Sequence, residues 1–329
     1  MKLPLLSWPV RVSLYVLLAM IVCRVVAENP RLRPAPTAAQ ALGDISWMSG
    51  ANRAALTPDR AFFEPIRKPA VHDWLADHEE PGQTVEEYAS YLPPLRPKRH
   101  QKTLCILPLG SFGKSAPPLE VLRDYCAAFF GMPTRILDAV PVEKVPAKQR
   151  INPSTQKRQF LTSEILRWLP SLKPDDSYAL IAVTMEDLYP DEKWNFVFGQ
   201  AMLMGGVGVF SFARYDPGFP LPAGVTQDEE TQLLILTRSC KVLSHETGHM
   251  FGLAHCIFYE CNLNGSNHLA ETDSRPMHLC PVCLRKLQMN AGFDLQWREE
   301  ALNRFFSLHG FKAEAEWTAR RLEKMRAGR

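Results

Sequence analysis

Five residues in one stretch of this 329-residue chain have the type and spacing to hold a metal and drive hydrolysis. They are His245, Glu246, His249, Gly252 and His255, in the order H-E-x-x-H-x-x-G-x-x-H. Histidines four apart on a helix share a face, with Cβ atoms about 5–6 Å apart, so His245 and His249 can grip one ion. Gly252, free to take positive φ, lets the chain leave the helix so that His255 swings back as a third ligand. Three imidazoles leave the fourth corner of a tetrahedral zinc to water, the arrangement of a catalytic site. Zinc lowers the pKa of such a water to about 7. Glu246, next to a ligand, is placed to take its proton and pass it to a leaving amine. H-E-x-x-H alone recurs by accident in long helices. The five-position match arises by chance in on the order of 10⁻⁵ of chains of this composition, so it is read as function.

The chain has eight cysteines, and Cys256, Cys261, Cys280 and Cys283 form C-x4-C-x18-C-x2-C. Two close pairs joined by a longer loop match a structural zinc site of four thiolates with no open position. Two disulfides, or buried free thiols, are the other readings of these residues. Cys280-Pro-Val-Cys283 is a tight knuckle suited to one ion. Cys256 directly follows His255, which places the two metal sites back to back and lets the cysteine cluster aim His255. Cys105, Cys126 and Cys240 fall on strand or helix faces and read as buried thiols.

These ligands need a helix, and Thr231 to Leu253 reads as one. Upstream, Thr103 to Leu109 reads as a strand, Leu119 to Phe130 as a helix ending at Gly131, and Thr134 to Val142 as a second strand. Ser163 to Leu169 is helical up to Pro170, and Ser177 to Thr184 is a buried strand. Val207 to Tyr215 alternates with period two, as a half-buried strand at an edge does. Strands alternating with helices predict an α/β sheet of four or five strands on one core. Residues 28 to about 60 read as a Pro-rich linker with short helical pieces. His72 to Tyr91 reads as a small helical lobe, closed by Pro93, Pro94 and Pro97. The expected division is therefore residues 1–27 as leader, 28–100 as linker and helical region, and 101–329 as catalytic domain.

Composition narrows the classes. Apolar residues make up 46% and charged residues 22%, which suits a globular protein, and the net charge of +3 gives no reason to expect nucleic acid as a partner. Val12 to Cys23 is apolar apart from Ser13 and follows Lys2 and Arg11. At twelve residues it is too short to span a bilayer but suits a signal-peptide core, with Val25-Val26-Ala27 before a cleavage point. Secretion or anchoring through this leader is expected, with an organelle or cytosolic location as the alternative, and membrane association is expected only through this segment.

HETGHMFGLAHC, Cys261, Gly265 to Leu269, Arg275-Pro276 and LCPVCLRKLQ together resemble the archaemetzincin family of zinc metallopeptidases. Asp187 to Pro190, Trp194 to Ala201, Val207 to Tyr215 and Arg238 to Lys241 extend the likeness over roughly residues 103 to 295, and more loosely over 60 to 100. The resemblance implies a compact metzincin-like α/β domain with a mixed twisted sheet, a long active-site helix and a helical C-terminal part. It implies a catalytic zinc on His245, His249 and His255, Glu246 as base, and a structural zinc on the four cysteines. It also implies that Val207 to Tyr215 runs along the cleft, where an extended peptide adds by backbone pairing. Two features depart from the family's pattern. Leu263 stands at the position of the family's Met, a change of similar volume costing under about 1.5 kcal/mol in a core, and the leader is absent from the familiar members.

Lesser candidates remain. His268 and His278 lie near the ligands in sequence and are weighed as substrate-binding or proton-donating groups against polar loop residues. Tyr189 and Tyr215 are weighed as oxyanion donors against core tyrosines, and Glu186-Asp187 reads as a solvated loop. Phe311 to Arg329 reads as an amphipathic helix with a basic carboxyl end. The expected protein is a monomeric, two-zinc peptidase acting on short peptides, without zymogen latency. Its rivals are a catalytically weak or inactive zinc protein binding peptides or partners, and a redox sensor using the cysteines.

Overall fold

The computed structural model describes residues 34–202, 206–220 and 228–328. The leader, residues 1–27, lies outside the described residues. Four short helices come first: α1 (Ala38–Leu42), α2 (Gly50–Leu56), α3 (Trp74–Asp77) and α4 (Val85–Leu95). Thr37 and Thr84 open α1 and α4 with capping boxes, each side chain bonded to the backbone three residues on and answered by Gln40 or Glu87. The expected break at Pro93 comes later, because α4 continues to Leu95.

The main sheet has five strands: β1 (Thr103–Leu109), β2 (Thr134–Ile136), β5 (Ser177–Thr184), β7 (Gly199–Met202) and β8 (Val207–Ser211), in the order β2-β1-β5-β8-β7. The first four run parallel and β7 is antiparallel to β8. Period two sorts their side chains. Leu104, Ile106, Ala179, Ile181, Val183 and Phe210 enter the larger core, and Cys105, Leu107, Leu180, Ala182, Val207 and Val209 enter the smaller. Helix α5 (Leu119–Phe130) joins β1 to β2 and packs on the larger core. Helix α6 (Thr162–Trp168) covers the smaller core, continuing as a 3₁₀ turn over Leu169–Ser171 that carries Pro170.

Three elements differ from the sequence expectation. The strand after α5 stops at Ile136, with only an isolated bridge further on between Leu109 and Val140. Strand β8 is buried along its whole length and lies between β5 and β7, so it is neither half-buried nor an edge. Its alternation divides two cores rather than core and water. Strand β7 takes the edge. A Cβ on Gly199 would lie 2.2 Å from Cδ1 of Phe210, so glycine is what lets β7 approach β8 this closely. A small second sheet, β3 (Gln149–Ile151), β4 (Arg158–Leu161) and β6 (Asp187–Tyr189), had no signal in the sequence reading.

The ligand-bearing helix α7 (Glu229–Met250) opens with Asp228 accepting from the Thr231 amide. Beyond it come α8 (Leu269–Asp273), α9 (Pro281–Ala291), α10 (Leu295–Leu308) and α11 (Lys312–Ala327). The helical pieces of residues 34–95 pack on these carboxyl-terminal helices. Ala41, Leu42, Ala55, Leu56, Phe63, Tyr88 and Leu92 share the larger core with Leu284, Leu302, Phe306 and Met325. A short antiparallel contact pairs Pro65 with Tyr259, with Ile66 N donating to Phe258 O and Glu260 N to Glu64 O. No helix among the described residues is long and apolar enough to cross a membrane.

Candidate metal centre

Helix α7 ends at Met250, and Gly252 takes φ +83°, the left-handed turn expected of it. His245 and His249 come from the last turns of the helix, and His255 returns beside them, its ring centroid 5.4 Å from His245 and 4.9 Å from His249. Each ring is tied by Nδ1. His245 Nδ1 donates to Asn262 O at 2.8 Å, His249 Nδ1 to Leu253 O at 2.6 Å, and His255 Nδ1 to Glu80 Oε1 at 2.7 Å. Carbonyl and carboxylate oxygens only accept, so each Nδ1 carries the proton and each Nε2 presents a lone pair. The Nε2 atoms of His245 and His249 are 3.0 Å apart. Two such lone pairs facing each other suit a shared cation, since a tetrahedral zinc with bonds of about 2.0 Å spaces its nitrogens about 3.3 Å apart. Burial first, and the other two imidazoles second, hold His245 far below the usual imidazole range. Burial, then the charge of His255, takes His249 to about 4. Both are therefore neutral at pH 7, the form that ligates.

Glu246 follows His245 on the same helix. Burial, the larger effect, pushes its carboxyl up to about 7, and it is near enough to His255 for that charge to act on it. Leu263, fully buried, lies against Gly248 between the two helical histidines, where a Cβ would meet its Cδ1 at 3.2 Å.

Sγ atoms of Cys256, Cys261, Cys280 and Cys283 are buried and mutually within 4.8 Å. Cys256 and Cys280 sulfurs are 3.5 Å apart, far beyond a disulfide bond and close to the edge of about 3.8 Å expected for thiolates around zinc. All seven described cysteines are free, which sets aside the disulfide reading among them and leaves the metal and buried-thiol readings. Cys105, Cys126 and Cys240 are buried, as expected. Asn264 braces the loop, accepting from Cys261 N at 2.7 Å and donating to Cys256 O and Tyr259 O.

The lesser candidates separate. Tyr215 is close enough to Glu246 for that charge to add to burial in raising its hydroxyl, which is buried without a hydrogen-bond partner. The Tyr189 ring instead lies under Arg150, 3.9 Å away, in the second sheet. His268 caps α8, its Nδ1 accepting from Glu271 N at 3.1 Å and its Nε2 facing Asp73 at 3.3 Å. With both nitrogens engaged it has no lone pair for a metal. His278 is stacked flat on Trp317, 3.8 Å between centroids, in the core against the carboxyl-terminal helices. The expected solvated loop at Glu186-Asp187 is corrected, because both carboxylates are paired. Asp187, 2% exposed, takes Arg214 at 2.7 Å and Gln159 at 2.7 Å, and Glu186 takes Arg158. Arg214 lies over Phe196 and so fixes the segment leading into β7.

Sequence reasoning missed Glu80, Trp74 and Gln83. Trp74 Nε1 donates to Glu80 Oε1 at 2.9 Å, and its ring meets His255 edge-on at 4.8 Å. Glu79-Glu80-Pro81-Gly82 looks like an acidic turn and has no ligand spacing, so nothing local marked it.

A profile of peptidase family M54 matches residues 145–289. Archaemetzincin-2 of Macaca fascicularis is 39% identical over 275 residues, 76% of each chain. The chain belongs to the archaemetzincin family. It is therefore a zinc metallopeptidase of the hydrolase class. Archaemetzincin-2 of Mus musculus is 40% identical over 274 residues, 75% of this chain and 76% of that one. Among solved structures, an archaemetzincin from Archaeoglobus fulgidus complexed with malonate is 29% identical, covering 56% of this chain and 99% of that one at a TM-score of 0.43. The archaemetzincin profile spans all three histidines and all four cysteines here and leaves out residues 34–144.

Proposed function

We propose that this archaemetzincin hydrolyses bonds in short peptides with Glu246 as general base, holding one zinc on His245, His249 and His255 and a second on the four cysteines. Zinc, when bound, supplies a positive charge that polarises the scissile carbonyl and acidifies water. The chain's own residues do the rest. Three Nδ1–H bonds fix the aim of the imidazoles, and burial keeps His245 and His249 neutral. Glu246 accepts the proton of the attacking water and returns it to the amine. Tyr215, buried and unpartnered near Glu246, is the donor for the oxyanion.

The peptide would lie along β7, the last strand of the main sheet, and not along β8. Trp194 and Met202, 64% and 42% exposed, offer apolar surface at either end of this edge segment. The location read from residues 12–27, secreted or membrane-anchored, belongs to the same proposal, and fractionation of cells expressing the full chain tests it.

The observation that carries the reading is the convergence of three lone-pair nitrogens beside one carboxylate. Purified Glu246→Gln protein should retain zinc at the His site and lose at least about 100-fold in turnover of a peptide library, the scale of a general base. In the same assay Tyr215→Phe should lower kcat more than it raises KM. Turnover unchanged in Glu246→Gln would overturn the proposed role of the carboxylate.

A further inference from the structure

We propose that Glu80, from the segment ahead of the sheet, is a positioning residue for the third metal ligand. It selects Nε2 of His255 as the donor and raises that nitrogen's basicity. The inference rests on the reading of the three histidines as metal ligands.

The three rings are not held alike. His245 and His249 are tied to Asn262 O and Leu253 O, backbone carbonyls that lie next to the helix end by virtue of the fold. His255 has already left the helix, and its Nδ1 donates instead to a carboxylate 175 residues distant in sequence. A carboxylate draws the Nδ1 proton more strongly than a carbonyl and so leaves more electron density on Nε2. Both side chains are about four-fifths buried, at 21% and 20% exposure, so water competes little for the bond.

Glu80 is itself held in place. Its Oε1 also accepts from Trp74 Nε1, and Trp74 is stacked on His78 at 3.8 Å and pinned by its backbone N to Glu271. Three residues on, Gln83 grips the turn that delivers His255. Its Nε2 donates to Gly252 O and its Oε1 accepts from Ala254 N, both at 3.1 Å, while Lys286 Nζ donates to the same Oε1 at 2.9 Å. Tyr88 Oη then donates to Phe251 O at 2.7 Å. Four side chains of residues 74–88 thus converge on residues 251–255, and only Glu80 bonds a ligand ring. None of the four lies within the matched residues 145–289.

Cobalt(II) binding to the full chain tests this, with the cysteine site zinc-loaded and the histidine site stripped by chelation. The visible absorption of cobalt reports both affinity and ligand geometry. Wild type should bind cobalt, and His245→Ala should not. Glu80→Met, of similar volume but with no acceptor, should bind about 10–100-fold more weakly, with a shifted band. Glu80→Gln keeps an acceptor oxygen without the charge and should fall between the two. Glu80→Met matching wild type in both affinity and spectrum would overturn the role of Glu80. Equal weakening of Met and Gln variants with unshifted bands would also overturn it, as a loss of general stability. Failure of wild type to bind cobalt would instead overturn the histidine site itself.

Discussion

Histidine does three unlike jobs here, and its surroundings decide which. His245, His249 and His255 present Nε2, His268 spends both nitrogens on a helix cap and an aspartate, and His278 stacks on Trp317. Burial, then Arg321 and Arg298, takes His278 to about 3. An unfolded histidine titrates near about 6.5, so between roughly pH 6.5 and 3 the unfolded chain binds a proton that the fold refuses. This contribution is absent above pH 6.5 and lowers stability progressively as pH falls to 3. His278→Phe keeps the stack and removes the proton site. Between pH 7 and 5 its urea midpoint should fall less than that of wild type, by the equivalent of about 2 kcal/mol. Equal falls would show that folded His278 takes up its proton as readily as the unfolded chain does. His245, Glu246 and His249 were legible because helical spacing fixes their geometry, and His255 because Gly252 marks the turn that returns it. Glu80 was not, since a hydrogen bond across 175 residues leaves no local pattern.

Elements were legible in proportion to their length. The strands over 103–109 and 177–184 and the helix over 119–130 match the sequence expectation because each carries several periods of alternation. Strands of three or four residues, as in β3, β4, β6 and β7, carry too few positions to show a period, so the second sheet and the true edge were invisible. The packing of α2 on α11 was equally hidden, since it depends on a buried charge. Arg321 donates to Glu299 at 3.2 Å and to Ala55 O at 2.9 Å, beneath the rings of Phe63 and Trp317. Arg321→Met strands Glu299 in the core and should cost about 3–5 kcal/mol, whereas adding Glu299→Leu should restore much of it. Chemical denaturation of both proteins decides this, and a double variant no more stable than the single would contradict the pairing.

At the scale of the whole molecule, the residues before the sheet and those after the metal centre close on each other around a shared core. Four of the cysteines gather at the two ends of a loop. That loop runs from Cys256 to Cys283, and Cys256 shares a peptide bond with His255. The adjacency imposes an order in time. On the proposed two-zinc reading, an ion on the thiolates adds an anchor at Cys256 to those that Glu80, Gln83 and Asn264 already give this turn, so filling of the sulfur site should precede tight binding at the nitrogen site. Metal-free chain given one equivalent of zinc should place it on the cysteines, with peptide turnover appearing only during the second equivalent. Turnover rising in proportion from the first addition would refute that sequence. A cell short of zinc would then hold this protein folded and half-loaded, with its hydrolytic capacity the first thing to go and the first to return.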